Sequence, residues 1–483
     1  MTHKTDSRKR WLALMVLCLG VLMIVLDTTI VNVALPSIRE DLKFTETSLV
    51  WVVNAYMLTF GGFLLLGGRL GDLYGHRKLF LIGLTLFTLA SLACGLAQSQ
   101  GWLIAARAVQ GLGGAVVSAV GLSLIMNLFT EPAERAKAMG VYGFVCAGGG
   151  SIGVLLGGLL TGGFSWHWIF LVNLPIGAVV YGLTLMLLDK GKGLAGAGRL
   201  DVAGAVTITA SLMLAVYAIV GGNEAGFTSA RTLSLLGAAV VLLALFIGIE
   251  ARVKQPLMPL ALFRLRNVAT ANVVGVLWAA AMFAWFFISA LYMQLVLHYT
   301  PMQVGLAFLP ANLIMAVCSL GVSAKLVMRF GIRGPFVAGL LLAAIGLALF
   351  ARAPIGGGFM LDVLPGMLLL GLGAGIAFNP VLLAAMSDVA PSDSGLASGV
   401  VNTSFMMGGA LGLAVLASLA AARTDALAAS GAAAEAALNA GYQIAFLVGA
   451  VFAFVACVIG AKFFRAAASA LRQAAVASPE GSH

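Results

Sequence analysis

Trp11 to Pro36 reads WLALMVLCLGVLMIVLDTTIVNVALP, an apolar run interrupted by one acid, Asp27. A helix of ~20 apolar residues crosses the hydrocarbon core of a bilayer, so this run is long enough to span one. A carboxylate at that depth is disfavoured unless something answers its charge. The stretch therefore sets the fold class and marks a candidate functional residue together.

The remainder of the chain agrees. Of 483 residues, 61% are hydrophobic and only 10% are charged, whereas soluble domains carry about 25% charged residues. That composition fits a membrane protein. The net charge of +10 would suggest nucleic acid in a soluble chain. Here it reads as the bias of Lys and Arg toward cytoplasmic loops, with no nucleic-acid partner. Cys18, Cys94, Cys146, Cys318 and Cys457 all fall in apolar runs, which argues for small packed residues and against a disulfide framework. The first run is also too long for the apolar region of a cleavable signal.

Runs of spanning length recur at about 11–36, 49–67, 79–97, 102–129, 139–162, 168–188, 201–221, 231–250, 268–297, 302–328, 335–351, 362–386, 397–421 and 442–462. Fourteen spans put both termini on one side. Of the 28 Lys and Arg, only Arg39, Lys43, Arg231, Arg352 and Arg423 fall on the opposite side, and Arg107 falls inside a span. That asymmetry predicts cytoplasmic termini. Gln255–Asn267 mixes apolar and basic residues and reads as an interfacial amphipathic helix, with a plain connector as the alternative. Ala422–Gly441 is an Ala-rich outer loop that can hold a short surface helix. Residues 467–483 are expected to be a disordered tail.

Three stretches repeat at nearly one offset. RLGDLYGHRK (Arg69–Lys78) matches KLVMRFGIR (Lys325–Arg333) when Gly75 is set on Gly331, an offset of 256. GLGGA from Gly111 matches GLGAG from Gly371 at 260, and GVYGFVCAGGGSIG from Gly140 matches GVVNTSFMMGGALG from Gly399 at 259. The chain thus divides into a six-span half (1–188), two extra spans with their linkers (189–254), and a second half that includes the interfacial segment (255–466). Repeated six-span halves with a site between them are a transporter architecture. In the repeat Asp72 falls on Met328 and Arg107 on Met367, so the first half holds the ionic chemistry.

The turn after the second span, GRLGDLYGHRK from Gly68, resembles the G-x-x-x-D-x-x-G-[RH]-[RK]-[RK] signature of the major facilitator superfamily. The resemblance implies an all-α membrane protein of 6+2+6 helices, with Gly68, Asp72, Gly75, Arg77 and Lys78 acting as a conformational latch between the halves. Leu26–Pro36 and Leu103–Ala115 resemble the first- and fourth-helix motifs of the fourteen-span drug:proton antiporters, whose fourth-helix Arg is implicated in proton coupling. Gly148–Gly158 resembles their fifth-helix motif, except that Val154 stands where a Pro is usual. Gly149, Gly153 and Gly157 still form a stripe suited to close helix contact, and packing alone is an equal reading of it.

Asp27 lies nine residues before Pro36, about 13 Å along the helix, and Arg107 lies five after Trp102, about 8 Å. Their depths allow pairing. Desolvation opposes the carboxylate and a nearby Arg favours it, so such a pair can be switched; a permanent structural ion pair is the plainer alternative. No other acid lies inside a span: Asp362, Asp388, Asp201 and Glu250 sit at span ends. Expected cavity residues are Asn32, Asn54, Tyr56, Met57, Trp278, Met282, Trp285, Asn312, Asn402 and Met406, with lipid-facing packing an open alternative for the aromatic and Met residues. Asn379 is a further in-span amide.

A G-x-x-x-x-G-K-[ST] phosphate loop is absent, and the five histidines lack metal-ligand spacing. No enzyme, cofactor or metal site is expected. The leading expectation is a proton-coupled antiporter exporting small amphiphilic drugs or antibiotics by alternating access, with Asp27 as principal protonation site. The scarcity of membrane acids favours monovalent cationic, neutral or zwitterionic substrates. The alternatives are a facilitator or importer of a defined solute, or a lipid exporter working with a periplasmic partner. The expected setting is a monomer among the lipids of a bacterial cytoplasmic membrane.

Overall fold

A bilayer satisfies no backbone groups, so fourteen apolar segments joined by short turns are confined to helices, which bond their own backbones. The computed structural model describes residues 2–129, 131–188, 201–253, 256–386, 389 and 394–464. All regular structure among them is helical. The first half consists of α1 (Thr2–Leu42), α2 (Val50–Tyr74), α3 (His76–Gly95), α4 (Gln100–Leu128), α5 (Pro132–Gly163) and α6 (Trp168–Leu187, with a hitch at Val172). The extra pair is α7 (Val202–Ala225) and α8 (Ala230–Glu250).

The second half opens with α9 (Arg266–Leu295). Next comes α10, Pro301–Val317 continued through a π-helical turn at Cys318–Val322 into Ser323–Phe330. It closes with α11 (Arg333–Phe350), α12 (Phe359–Met386), α13 (Ser394–Ala429) and α14 (Ala434–Phe463). Twelve of these are long and apolar enough to cross a membrane, while α5 and α10 contribute the shorter apolar stretches Gly148–Gly163 and Pro301–Val317. Fourteen helices running alternately up and down put the start of α1 and the end of α14 at the same end of the bundle as the Gly75 turn, called here the termini side, and the other end is the far side.

The repeat is visible in the packing. Gly75 and Gly331 both turn the chain with positive φ, 93° and 73°, which favours glycine. A Cβ on Gly113 would sit 2.6 Å from the Phe87 N of α3, and one on Gly373 would sit 2.5 Å from the Gly339 O of α11. Gly153 touches Thr29 of α1, and its counterpart Gly412 touches Ala280 of α9. Small residues let these backbones approach, as in other membrane bundles.

The extra pair covers the seam between the halves. α7 packs on both α2 and α13, Asn223 Nδ2 donates to Ser418 O at 3.2 Å, and Ser418 Oγ donates to Ile219 O at 3.3 Å. α8 lies outside it, its spanning stretch only 17% buried, as suits a lipid-facing helix.

Two expectations need correction. Within Gln255–Asn267 the described residues form only a 3₁₀ turn, Leu260–Arg264, before α9 begins at Arg266; Pro256 and Pro259 lack the N–H groups a longer helix needs. The loop Ala422–Gly441 is absorbed into α13 and α14, which leave a turn at 430–433 with Gly431 at φ 87°; alanine is the strongest helix former. Asp201 and Glu250 lie at span ends, as expected, Asp201 capping α7 and Glu250 closing α8, and both are buried, at 5% and 3% exposure. The linker 189–200, Asp388 and the tail from 465 lie outside the described residues. The four cysteines with described side chains are buried and not joined by disulfides.

Candidate functional site

Five helices of the first half converge on Asp27. The acid comes from α1 and is fully buried, as is Arg107 of α4. Arg107 Nη1 donates to Asp27 Oδ2 in a direct ion pair and to Gln110 Oε1 at 2.7 Å. Its Nε donates to the Val52 carbonyl of α2 at 2.9 Å. Asp27 Oδ1 accepts from Gln110 Nε2 at 2.7 Å and from Asn173 Nδ2 of α6 at 3.2 Å. Gln110 Nε2 also reaches Ser91 Oγ of α3 at 2.8 Å. The guanidinium lies over the Tyr56 ring, 4.4 Å from its centroid, and 5.6 Å from that of Phe170. Each carboxylate oxygen is thus answered, which is what a charge out of water requires.

Sequence reasoning named Asp27 and Arg107 but not Gln110, Asn173 or Ser91. Gln110 had a readable signal, because three residues after Arg107 puts it on the same helix face. Asn173 follows the hitch at Val172, and nothing in its neighbours marks it.

The expected cavity residues do not surround one open chamber. Asn54 Nδ2 donates across the halves to Ala410 O of α13 at 2.8 Å. Met57 packs at Gly409 of α13, and Met406 packs at Gly61 of α2, so these three line the α2–α13 seam. Trp278 and Asn402 border a void of about 10 Å³ with Phe378 and Phe405, roughly the room of one water. Trp285 meets Phe286 and Phe308 within the second half, and Met282 is partly buried. Asn32 donates to Thr28 O of its own helix at 3.3 Å. Asn54, Tyr56, Trp278, Trp285 and Asn312 each keep a buried polar atom without a hydrogen-bond partner, a state that costs about 1–3 kcal/mol per group. A wider cavity of about 580 Å³ opens elsewhere, between Trp51, Ile104, Tyr217 and Arg231.

On the termini side, Gly75 makes the turn from α2 to α3, and Arg77 Nη2 donates to the Leu185 carbonyl near the end of α6 at 2.9 Å. Arg77 therefore ties the turn to its own half. Gly68 and Gly71 pack toward α4 at Ala119 and Val120, and Lys78 is exposed. The side chain of Asp72 lies outside the described residues. Gly149 and Gly157 press α5 onto α1 at Val25 and Ile30, on either side of Asp27 in sequence. α5 runs as one helix through Val154, whose carbonyl meets Gly305 of α10. On the far side the halves also join through Gln294 Nε2, which donates to Val33 O at 3.0 Å.

The profile described as Major Facilitator Superfamily matches residues 17–413. The chain belongs to that superfamily. It is 40% identical over 418 residues to the puromycin resistance protein of Streptomyces alboniger, covering 86% of this chain and 83% of that one. It is 39% identical over 426 residues to the cephamycin export protein of Amycolatopsis lactamdurans, covering 88% and 87%. It is 38% identical to the multidrug resistance protein Stp of Mycobacterium tuberculosis, covering 86% and 77%. Among solved structures, a bacterial homolog of the human lysosomal transporter Spinster, inward-facing and unoccupied, superposes with a TM-score of 0.65 at 16% identity, covering 96% and 98%. That likeness shows the fold. The major facilitator chain is a multi-pass membrane transport protein and not an enzyme.

Proposed function

We propose that this transporter exports small amphiphilic drugs or antibiotics from the cytoplasm in exchange for protons, by alternating access, with Asp27 as the principal protonation site. The relatives' names support the export of antibiotics. The observation that carries the coupling is the Asp27 knot, because one carboxylate holds donors from two other helices, α4 and α6, onto α1. A proton on Asp27 removes the charge that orders Arg107, Gln110 and Asn173. It loosens three contacts at once, so a small chemical event becomes a helix movement.

Substrate enters the same account at the seam. The unpartnered polar atoms of Asn54, Tyr56, Trp278, Trp285 and Asn312 gain partners from a bound molecule or water when the halves part, and Met57 and Met406 adapt to its shape. The termini side is the cytoplasmic one in this reading, the membrane is a bacterial cytoplasmic membrane, and the working unit is the monomer. Cells producing the protein should survive a panel of cationic dyes and antibiotics at several-fold higher doses than cells without it, and Asp27→Asn should remove that difference at equal membrane abundance. Resistance undiminished by Asp27→Asn defeats the assignment of Asp27, and no resistance to any member of the panel defeats drug export.

A further inference from the structure

The buried pair Asp201 and Glu250 lies on the extra helices and takes no part in the Asp27 knot. Asp201 caps α7, its Oδ1 accepting from Gly204 N at 2.7 Å. Glu250 ends α8, and its Oε2 accepts from Met258 N in the segment that leads to the second half, at 3.0 Å. The other two oxygens converge. A Cβ on Gly204 would lie 2.6 Å from Asp201 Oδ2 and 2.7 Å from Glu250 Oε1. Both oxygens are buried and accept no hydrogen bond among the described residues, so two acceptors border the same small space beside Gly204.

The described surroundings offer no ion-pair partner, while Arg199 and Lys254, near the two acids in sequence, lie outside the described residues. Among the described residues neither acid takes part in an ion pair. Arg252, just beyond α8, is exposed. The segment contributes Leu257 and Met258, and α2 contributes Phe63, Leu65, Leu66 and Leu70, all apolar and gathered about Ala205 and Leu257. Arg69 is the charged residue of that part of α2 and is half-buried. No third His, Cys, Asp or Glu among the described residues completes a metal site. Two carboxylates in one dry space do not both ionise.

We propose that Asp201 and Glu250 share one proton and form a second proton-binding site, separate from Asp27, that fastens the extra pair to the segment entering the second half. With one proton, the facing oxygens make a hydrogen bond and Glu250 keeps its grip on Met258 N. Loss of that proton sets two charges against each other in an apolar setting, and the carboxylate of Glu250 swings toward water and releases Met258. Leu257 then leaves Leu66, two residues before the Gly68–Lys78 stretch expected to act as a latch. The site answers to pH on the termini side.

The test uses the full-length protein in lipid nanodiscs, titrated by infrared difference spectroscopy. Wild type should show a protonated-carboxyl C=O band that disappears as pH rises. Glu250→Gln and Asp201→Asn should each lack it near neutral pH, because the new amide donates to the remaining carboxylate, while Asp27→Asn should keep it. Asn still caps a helix, so Asp201→Asn guards against misfolding. Hydrogen exchange of residues 256–265 should speed up by about tenfold across the wild-type titration relative to Glu250→Gln at the same pH, the change expected from one lost hydrogen bond. A band that survives in both amide variants, or identical exchange profiles for wild type and Glu250→Gln, overturns the proposal. So does protection that follows sodium concentration instead of pH.

Discussion

The two halves share their packing and differ in their chemistry. Gly113 and Gly373 bring α4 onto α3 and α12 onto α11 at nearly the same distances, and Gly153 and Gly412 seat α5 on α1 and α13 on α9. Where the first half buries Asp27 and Arg107, the second buries Met367 at the position of Arg107, also completely, and its first helix, α9, holds no acid. The fold does not need the ion pair, since one half is built without it. Its presence in the other half supports the functional role proposed for it.

Giving the first half the residues of the second is the strongest way to break that comparison. Arg107→Met alone leaves Asp27 uncompensated and should destabilise the protein by about 3–5 kcal/mol, the usual result of removing one partner of a buried pair. Asp27→Ala combined with Arg107→Met should recover most of that stability, because apolar replacement of a whole buried pair is often neutral. Export should still be lost. Denaturant unfolding in detergent with drug efflux beside it reads both results, and a double variant that still exports would show the pair to be structural only.

Gly113→Ala and Gly373→Ala sharpen the packing side. Each forces a Cβ into backbone and should cost about 1–3 kcal/mol, by similar amounts in the two halves. A loss confined to one half would mean that the repeat does not extend to helix contacts. Gln110→Leu removes two donors and leaves Asp27 Oδ1 with Asn173 alone; a loss of about 1–3 kcal/mol is expected, measured by the same unfolding experiment.

The smallest effect lies at the far side, where the halves meet through Glu46. Burial raises the pKa of Glu46 above its ordinary value, Arg39 at 3.4 Å opposes the rise, and Asp425 of α13 adds to it. The folded state therefore binds the proton more tightly than the unfolded one. Its stabilising effect is full below the ordinary carboxylate pKa and is lost as pH rises through the raised value. Hydrogen exchange in residues 44–49 should quicken over that rise, and Glu46→Gln should flatten the profile.

The fourteen helices were legible because hydropathy and length are local properties. The glycine repeat was legible because close contact leaves a compositional trace. Asp27 and Arg107 could be matched by depth because charge is rare inside a span. Gln110, Asn173 and Ser91 were not, since neutral polar side chains are common in apolar helices and only the meeting of α1, α3, α4 and α6 selects these three. The burial of Asp201 and Glu250 was invisible for a similar reason: it depends on the segment at Met258 folding back over α8, a tertiary event. The interfacial helix failed on local grounds, because two prolines outweighed an amphipathic pattern.

The central claim is that a proton enters through Asp27. Purified transporter in proteoliposomes with a pH-sensitive dye inside tests it directly. Adding a monovalent cationic dye on the side from which it is carried should drive counterflow of protons in wild type. Asp27→Asn, folded and equally abundant, should show none. Proton counterflow of wild-type size in Asp27→Asn would contradict the account.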